Sequence, residues 1–133
     1  MYAFREAAPD HERYRTWLQD AFASDEPVGV SELVLSGFVR VVSHPRVFDP
    51  VATTKQALDF ANAVRAQTAA VMISPQDRHW AIFERLCLAV GAKGNLVPDA
   101  YLAALAIESG AELVTTDRDF SRFPGLRWRH PLA

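Results

Sequence analysis

The chain has 133 residues, the size of one domain, and half of them are hydrophobic, enough for a single core. A net charge of -2 argues against a strongly charged disordered chain and leaves no global basic field, so any nucleic acid must be held by a local patch. The single cysteine, Cys87, excludes an intramolecular disulfide and fits a reducing compartment.

At the N-terminus, "MYAFREAAPD" places Arg5, Glu6 and Asp10 ahead of any apolar stretch, so no signal core is expected. Pro9 and Asp10 start a predicted helix from about Asp10 to Ala23, with Tyr14, Trp17, Leu18 and Phe22 at helical spacing. A short buried strand follows at Val28 to Val30. "SELVLSGFVRVVSHP" then reads as a helix stopped by Pro45. Pro50 and Thr53 start a further helix carrying Ala57, Leu58, Ala61, Val64 and Arg65 at helical intervals. "AAVMIS" is a second strand. The next helix lies in "PQDRHWAIFERLCLAVGAKGN", with Trp80, Phe83, Leu86 and Leu88 on its period, Cys87 as a buried inert thiol, and Gly91 or Gly94 at its end. "VPDAYLAALAIESGA" is a helix with Pro98 in its first turn and Gly110 past its end. "ELVTT" is a strand. A turn at Pro124-Gly125 leads to a last strand with Leu126 and Trp128 on one face and Arg127 and Arg129 on the other.

Strands alternating with helices imply parallel pairing and an α/β fold of three layers, α/β/α, around a short, mostly parallel central sheet. One domain is expected over 1–133. The longest clean apolar run, "YLAALAI", is too short to cross a bilayer, so no membrane partner and a cytoplasmic location are expected.

In such sheets ligands collect beyond the carboxyl ends of the strands. Glu32 lies two residues past Val30, and Asp117 directly follows "LVTT". Asp99 sits in the first turn of its helix, where Leu102 and Ala103 on the buried stripe draw its carboxylate along the buried side. Carboxylates sharing a cleft raise each other's pKa, and a divalent cation removes that penalty. Hard oxygen donors select Mg²⁺ or Mn²⁺, which would activate water against a phosphodiester. Each acid has a plainer reading: Glu32 and Asp99 as helix-start acids, Asp117 as the cap of a turn through "DRDF", and Asp119 as a capping or orienting residue. Convergence favours the cation site; no single acid does. His11, His44, His79 and His130 form no zinc-type spacing. No phosphate-cradling glycine loop and no nucleophile elbow is present.

The stretch "GNLVPDAYLAALAIESGAELVTTDRDFSRFPGLRWRHPL" resembles the C-terminal half of PIN-domain toxins of the VapC type. "YAFREAAPDHERYRTWL" and "SELVLSGFVRVVSHPRVF" resemble earlier parts of the same fold. The resemblance implies an Mg²⁺-dependent endoribonuclease held by a VapB-type antitoxin. Glu32, Asp99 and Asp117 match three of its four acids, and Asp119 matches a further acid near the site. Family members open on an apolar strand ending in D-x-N or D-x-S, which this sequence lacks. The expectation is therefore that the natural product carries a short N-terminal extension.

Arg118, Arg122 and Lys93 lie beside these acids and are candidate RNA contacts. Trp17, Phe22, Phe38, Val41, Val42 and Phe48 exceed what one small core is expected to hold, so helices one and three are candidate surfaces for a second copy or the antitoxin. Two other functions stay open. One is a catalytically inactive PIN-like module that only binds antitoxin or RNA. The other is a phosphatase using "TDRDF" as a nucleophile loop.

Overall fold

The computed structural model describes residues 1, 3–6, 8–46 and 51–133. The chain divides into two compact units, Met1–Ile73 and Ser74–Ala133. Helices alternate with short strands in both, and both described strand pairs are parallel, so the fold is α/β as expected.

In the N-terminal unit, helix α1 spans His11–Ala23. It is preceded by Asp10 at φ 57°, a left-handed conformation that aspartate tolerates better than most residues. Strand β1, Val28–Ser31, passes directly into helix α2, Glu32–Val42. Helix α3, Thr54–Arg65, starts with a complete capping box: the Thr53 hydroxyl accepts from Gln56 N–H (3.0 Å), and Gln56 Oε1 accepts from Thr53 N–H (2.9 Å). These bonds satisfy two backbone donors that a helix start otherwise strands. Strand β2, Ala70–Ile73, runs parallel to β1 with Val28 opposite Ala70 and Ser31 opposite Ile73. The strand expected at Val28 to Val30 is buried only in part, since Gly29 is exposed.

The core of this unit is Val42 and Ala57, packed against Phe4, Phe38, Val39, Val41 and Ala52. Phe4 meets Phe38 and Phe60 edge-on at 5.3 and 5.2 Å between ring centroids. Three of the apolar residues expected in excess of one core are thereby placed inside it: Val42 is fully buried, and Phe38 and Val41 pack against it. Trp17 and Phe22 are half-buried on α1, while Phe48 and the proposed helix starter Pro50 lie outside the described residues.

In the C-terminal unit, helix α4 spans His79–Val90 and helix α5 spans Leu96–Ser109. Each ends on a glycine in the left-handed region, Gly91 at φ 59° and Gly110 at φ 70°, where a β-carbon would strain the backbone. Helix α5 presents Ala100, Ala103 and Ala104, all fully buried. This flat stripe admits Leu86 from α4 together with Phe120 and Phe123. Strand β3, Leu113–Val114, pairs in parallel with β4, Trp128–Arg129. The 3-10 helix Arg118–Arg122 lies between them.

Leu126 and Trp128 pack on the core, whereas Arg127 and Arg129 point outward to Gly110 carbonyl oxygen (3.0 Å) and Glu112 Oε1 (2.7 Å), the alternation expected of the last strand. Two expectations on α4 fail. Trp80 and Leu88 are 62% and 81% exposed, because at 100° per residue they fall outside the arc of Ile82, Phe83, Leu86 and Val90 that faces the core. Cys87 packs against the core only half-buried.

Candidate functional site

The acidic site of the C-terminal unit is built on α5 and on the segment that leaves β3. Asp99 stands on the fourth residue of α5, one after Pro98. Its successor Ala100 is buried, which turns this part of the helix inward and leaves Asp99 half-buried. Burial raises the Asp99 carboxyl above its ordinary range, and the negative charges of Asp117 and Asp119 raise it further. The two stretches that carry these acids, separated in sequence, thus meet in one electrostatic neighbourhood.

Asp117 is held by its own loop. Its N–H donates to Thr115 Oγ1 (3.1 Å), and its Oδ1 accepts from Asp119 N–H (2.9 Å). The second bond is an Asx-type turn in which the side chain caps the 3-10 helix Arg118–Arg122. The capping reading of Asp117 therefore holds. Phe120 and Phe123, 4% and 3% exposed, pin the loop to the alanine stripe of α5. The acids at 117 and 119 stay exposed while the residue that follows them is locked in the core.

Glu32, in the N-terminal unit, is the first residue of α2. Its carboxylate is exposed and stands 3.7 Å from the Arg65 guanidinium of α3. An acid in a first turn also favours the positive end of the helix dipole. Arg65 was legible in the sequence only as a helical position; its pairing with Glu32 joins residues on two different helices.

Lys93, Arg118 and Arg122 are exposed, and among the described residues none of them forms an ion pair. Their charges are available to an external anion. Thr115 is a residue that sequence reasoning missed; its neighbour-but-one position to Asp117 was the available signal.

Asp117 and Asp119 lie within Coulombic reach of Asp99, whose charge burial already disfavours. The disposition is open: among the described residues no group of three or more His, Cys, Asp or Glu is arranged to hold a metal ion.

An α/β fold with carboxylates at a strand exit and a helix start defines the class. The chain belongs to the PIN-domain family, whose model, described as PIN domain, matches residues 1–126. Within that family its relatives are VapC proteins. Ribonuclease VapC43 of Mycobacterium tuberculosis is 42% identical over 132 residues, covering 99% of this chain and 90% of that protein. Ribonuclease VapC25 of the same organism is 36% identical over 131 residues, covering 98% and 92%. The crystal structure of VapBC2 from Rickettsia felis bound to a DNA fragment from their promoter is similar with a TM-score of 0.69. At 18% identity over 97% of this chain and 90% of that one, the likeness concerns the fold.

Proposed function

We propose that the chain is a metal-dependent endoribonuclease, the toxin of a type II toxin–antitoxin pair, which cleaves RNA phosphodiester bonds and is neutralised by a VapB-type antitoxin in the cytoplasm. The observation that carries this reading is the Asp99 carboxyl, raised by burial and by Asp117 and Asp119. The names of the relatives, ribonucleases of the VapC group, and of the VapBC2 structure support the activity and the partner. Among the described residues no helix is long and apolar enough to cross a membrane.

PIN-domain VapC nucleases are metal-dependent in general, and Mg²⁺ or Mn²⁺ is the ion proposed here. Asp99 and Asp117 would hold it, with Asp119 beside them. When bound, such an ion supplies Lewis acidity at the scissile phosphate and an activated water. Asp99 must be ionised to serve, and cation binding favours that ionised form. Asp117 is pre-oriented by Thr115 and the Asp119 amide, so little ordering is left to do when substrate arrives. Lys93, Arg118 and Arg122 bind the phosphates of the RNA backbone. The deciding experiment is incubation with labelled RNA in Mg²⁺, in Mn²⁺ and in EDTA. Metal-dependent cleavage lost in Asp99→Asn supports the reading; cleavage that survives EDTA or the substitution sinks it.

A second reading is an inactive PIN-like module that binds only antitoxin or RNA. The open disposition of the acids favours it. RNA or antitoxin binding without cleavage in any metal distinguishes it.

A further inference from the structure

Strand β1 ends at Ser31, which is also the residue that precedes the first turn of α2. Ser31 is only 7% exposed, yet its hydroxyl caps none of the α2 N–H groups, and among the described residues no hydrogen bond reaches it. Folded proteins satisfy their buried polar side chains, so a hydroxyl left over at this depth points to a partner outside the chain. The first turn of α2 is open as well. The N–H groups of Leu33 and Val34 have no intrahelical acceptor, and the serine that would ordinarily cap them does not. Helix α3 brings a cation to the same turn: the Arg65 guanidinium stands 3.7 Å from Glu32, the first residue of α2. The carboxyl end of a parallel strand is also where ligands gather.

The groups assembled here are donors and positive charge: a buried hydroxyl, two amides at the positive end of an 11-residue helix, and a guanidinium. Together they suit an anion with several oxygens, and phosphate is the one that helix starts most readily hold. Glu32 is the opposing charge. Its pair with Arg65 is a single contact longer than a hydrogen bond, between side chains 75% and 47% exposed. Exposed pairs of this kind hold weakly, so the guanidinium is free to turn to a phosphate, to which its planar fork can donate two parallel bonds.

We propose that the start of α2 is a subsite for one phosphate of the RNA backbone. The Ser31 hydroxyl and the N–H groups of Leu33 and Val34 donate to its oxygens, and Arg65 offsets its charge. The inference rests on the endoribonuclease reading and deepens it, since these residues are separate from Lys93, Arg118 and Arg122 and lie wholly in the N-terminal unit. Ser31 carries no charge, so it fixes where the phosphate sits. Arg65 supplies the part of the affinity that salt screens.

The test is RNA binding by the full chain in EDTA, where metal-dependent cleavage is off, read as fluorescence anisotropy of a labelled single-stranded oligonucleotide over a salt series. Arg65→Ala should weaken binding roughly tenfold and lower the slope of log affinity against log salt by about 1. Arg65→Lys keeps the charge and should keep the slope. Ser31→Ala should weaken binding about three- to tenfold with the slope unchanged, the loss of one hydrogen bond without loss of charge. Because that hydroxyl has no partner in the chain, Ser31→Ala should hold or raise the melting temperature. The amide resonances of Leu33 and Val34 should move when RNA is added. RNA binding unchanged in both Ser31→Ala and Arg65→Ala overturns the subsite and leaves the nuclease reading, which metal-dependent cleavage tests separately. A melting temperature lowered by Ser31→Ala shows that the hydroxyl serves the fold, and overturns it too. Amides that respond to inorganic phosphate and not to RNA overturn it in favour of a free-phosphate site. A wild type that neither binds nor cleaves RNA removes the nuclease reading itself, and the subsite with it.

Discussion

Asp99 on helix α5 and Asp117 at the exit of β3 repel one another, and that repulsion adds to the burial that already disfavours the Asp99 charge. An acid whose folded pKa is raised costs stability once it ionises. The cost is absent at pH below its unfolded value, near 4, and grows as pH rises through the raised folded value. Asp99→Asn should therefore stabilise the metal-free protein at neutral pH, by about 0.5 kcal/mol or less after solvent screening of a half-exposed group. The gain should vanish below about pH 4, where both forms are neutral. Thermal melts of both proteins from acid to neutral pH check this. Saturating Mg²⁺ should raise the melting temperature of the wild type and not that of the variant, because only the wild type keeps the carboxylate that gains from the ion.

Phe120 anchors the acidic loop. It is 4% exposed among Leu86, Ala100, Ala103, Ala104 and Phe123. Phe120→Ala should cost about 3–5 kcal/mol, read as a lower midpoint in urea unfolding. Under conditions where the variant stays folded, it should also lose turnover, because the 3-10 helix that holds Asp117 and Asp119 has lost its anchor.

Glu108 serves the start of α4 from the far end of α5. Its two carboxylate oxygens accept from Gln76 N–H and Arg78 N–H, both at 2.8 Å, satisfying donors that precede the helix. Glu108→Ala should cost roughly 1–3 kcal/mol as two charge-assisted bonds are lost. Amide exchange should accelerate at residues 76–80 before it does elsewhere in α4. Uniform acceleration along the helix would show that the carboxylate acts otherwise.

Lys93, Arg118 and Arg122 are exposed charges, so their role should appear in RNA affinity and not in folding. Each change to Ala should weaken RNA binding, raise KM more than it lowers kcat, and reduce the slope of log affinity against log salt by about 1. Melting temperatures should stay within about 1 kcal/mol equivalent of the wild type. An unchanged salt slope removes that residue from the phosphate path.

Much of the backbone was legible because local chemistry sets it. Thr53 starts α3, Gly91 and Gly110 end α4 and α5, and Pro98 sits in a first turn, all within one turn of the helix they serve. The inward lean of Asp99 was legible too, since helical geometry puts Ala103 on its face. The outward face of α4 was misread from a loose period, in which Trp80 and Leu88 differ by only one residue of phase from the core arc.

By itself the sequence determined the helices, the parallel α/β character and the identity of the acids, because caps, glycines and periodicity act over a few residues. Only the tertiary structure decided other meetings of distant groups: Glu108 with the start of α4, Arg65 with Glu32. Such pairings depend on how packed elements are aimed, and Coulomb and hydrogen-bond energies fall off within a few ångströms. No separation along the chain encodes them.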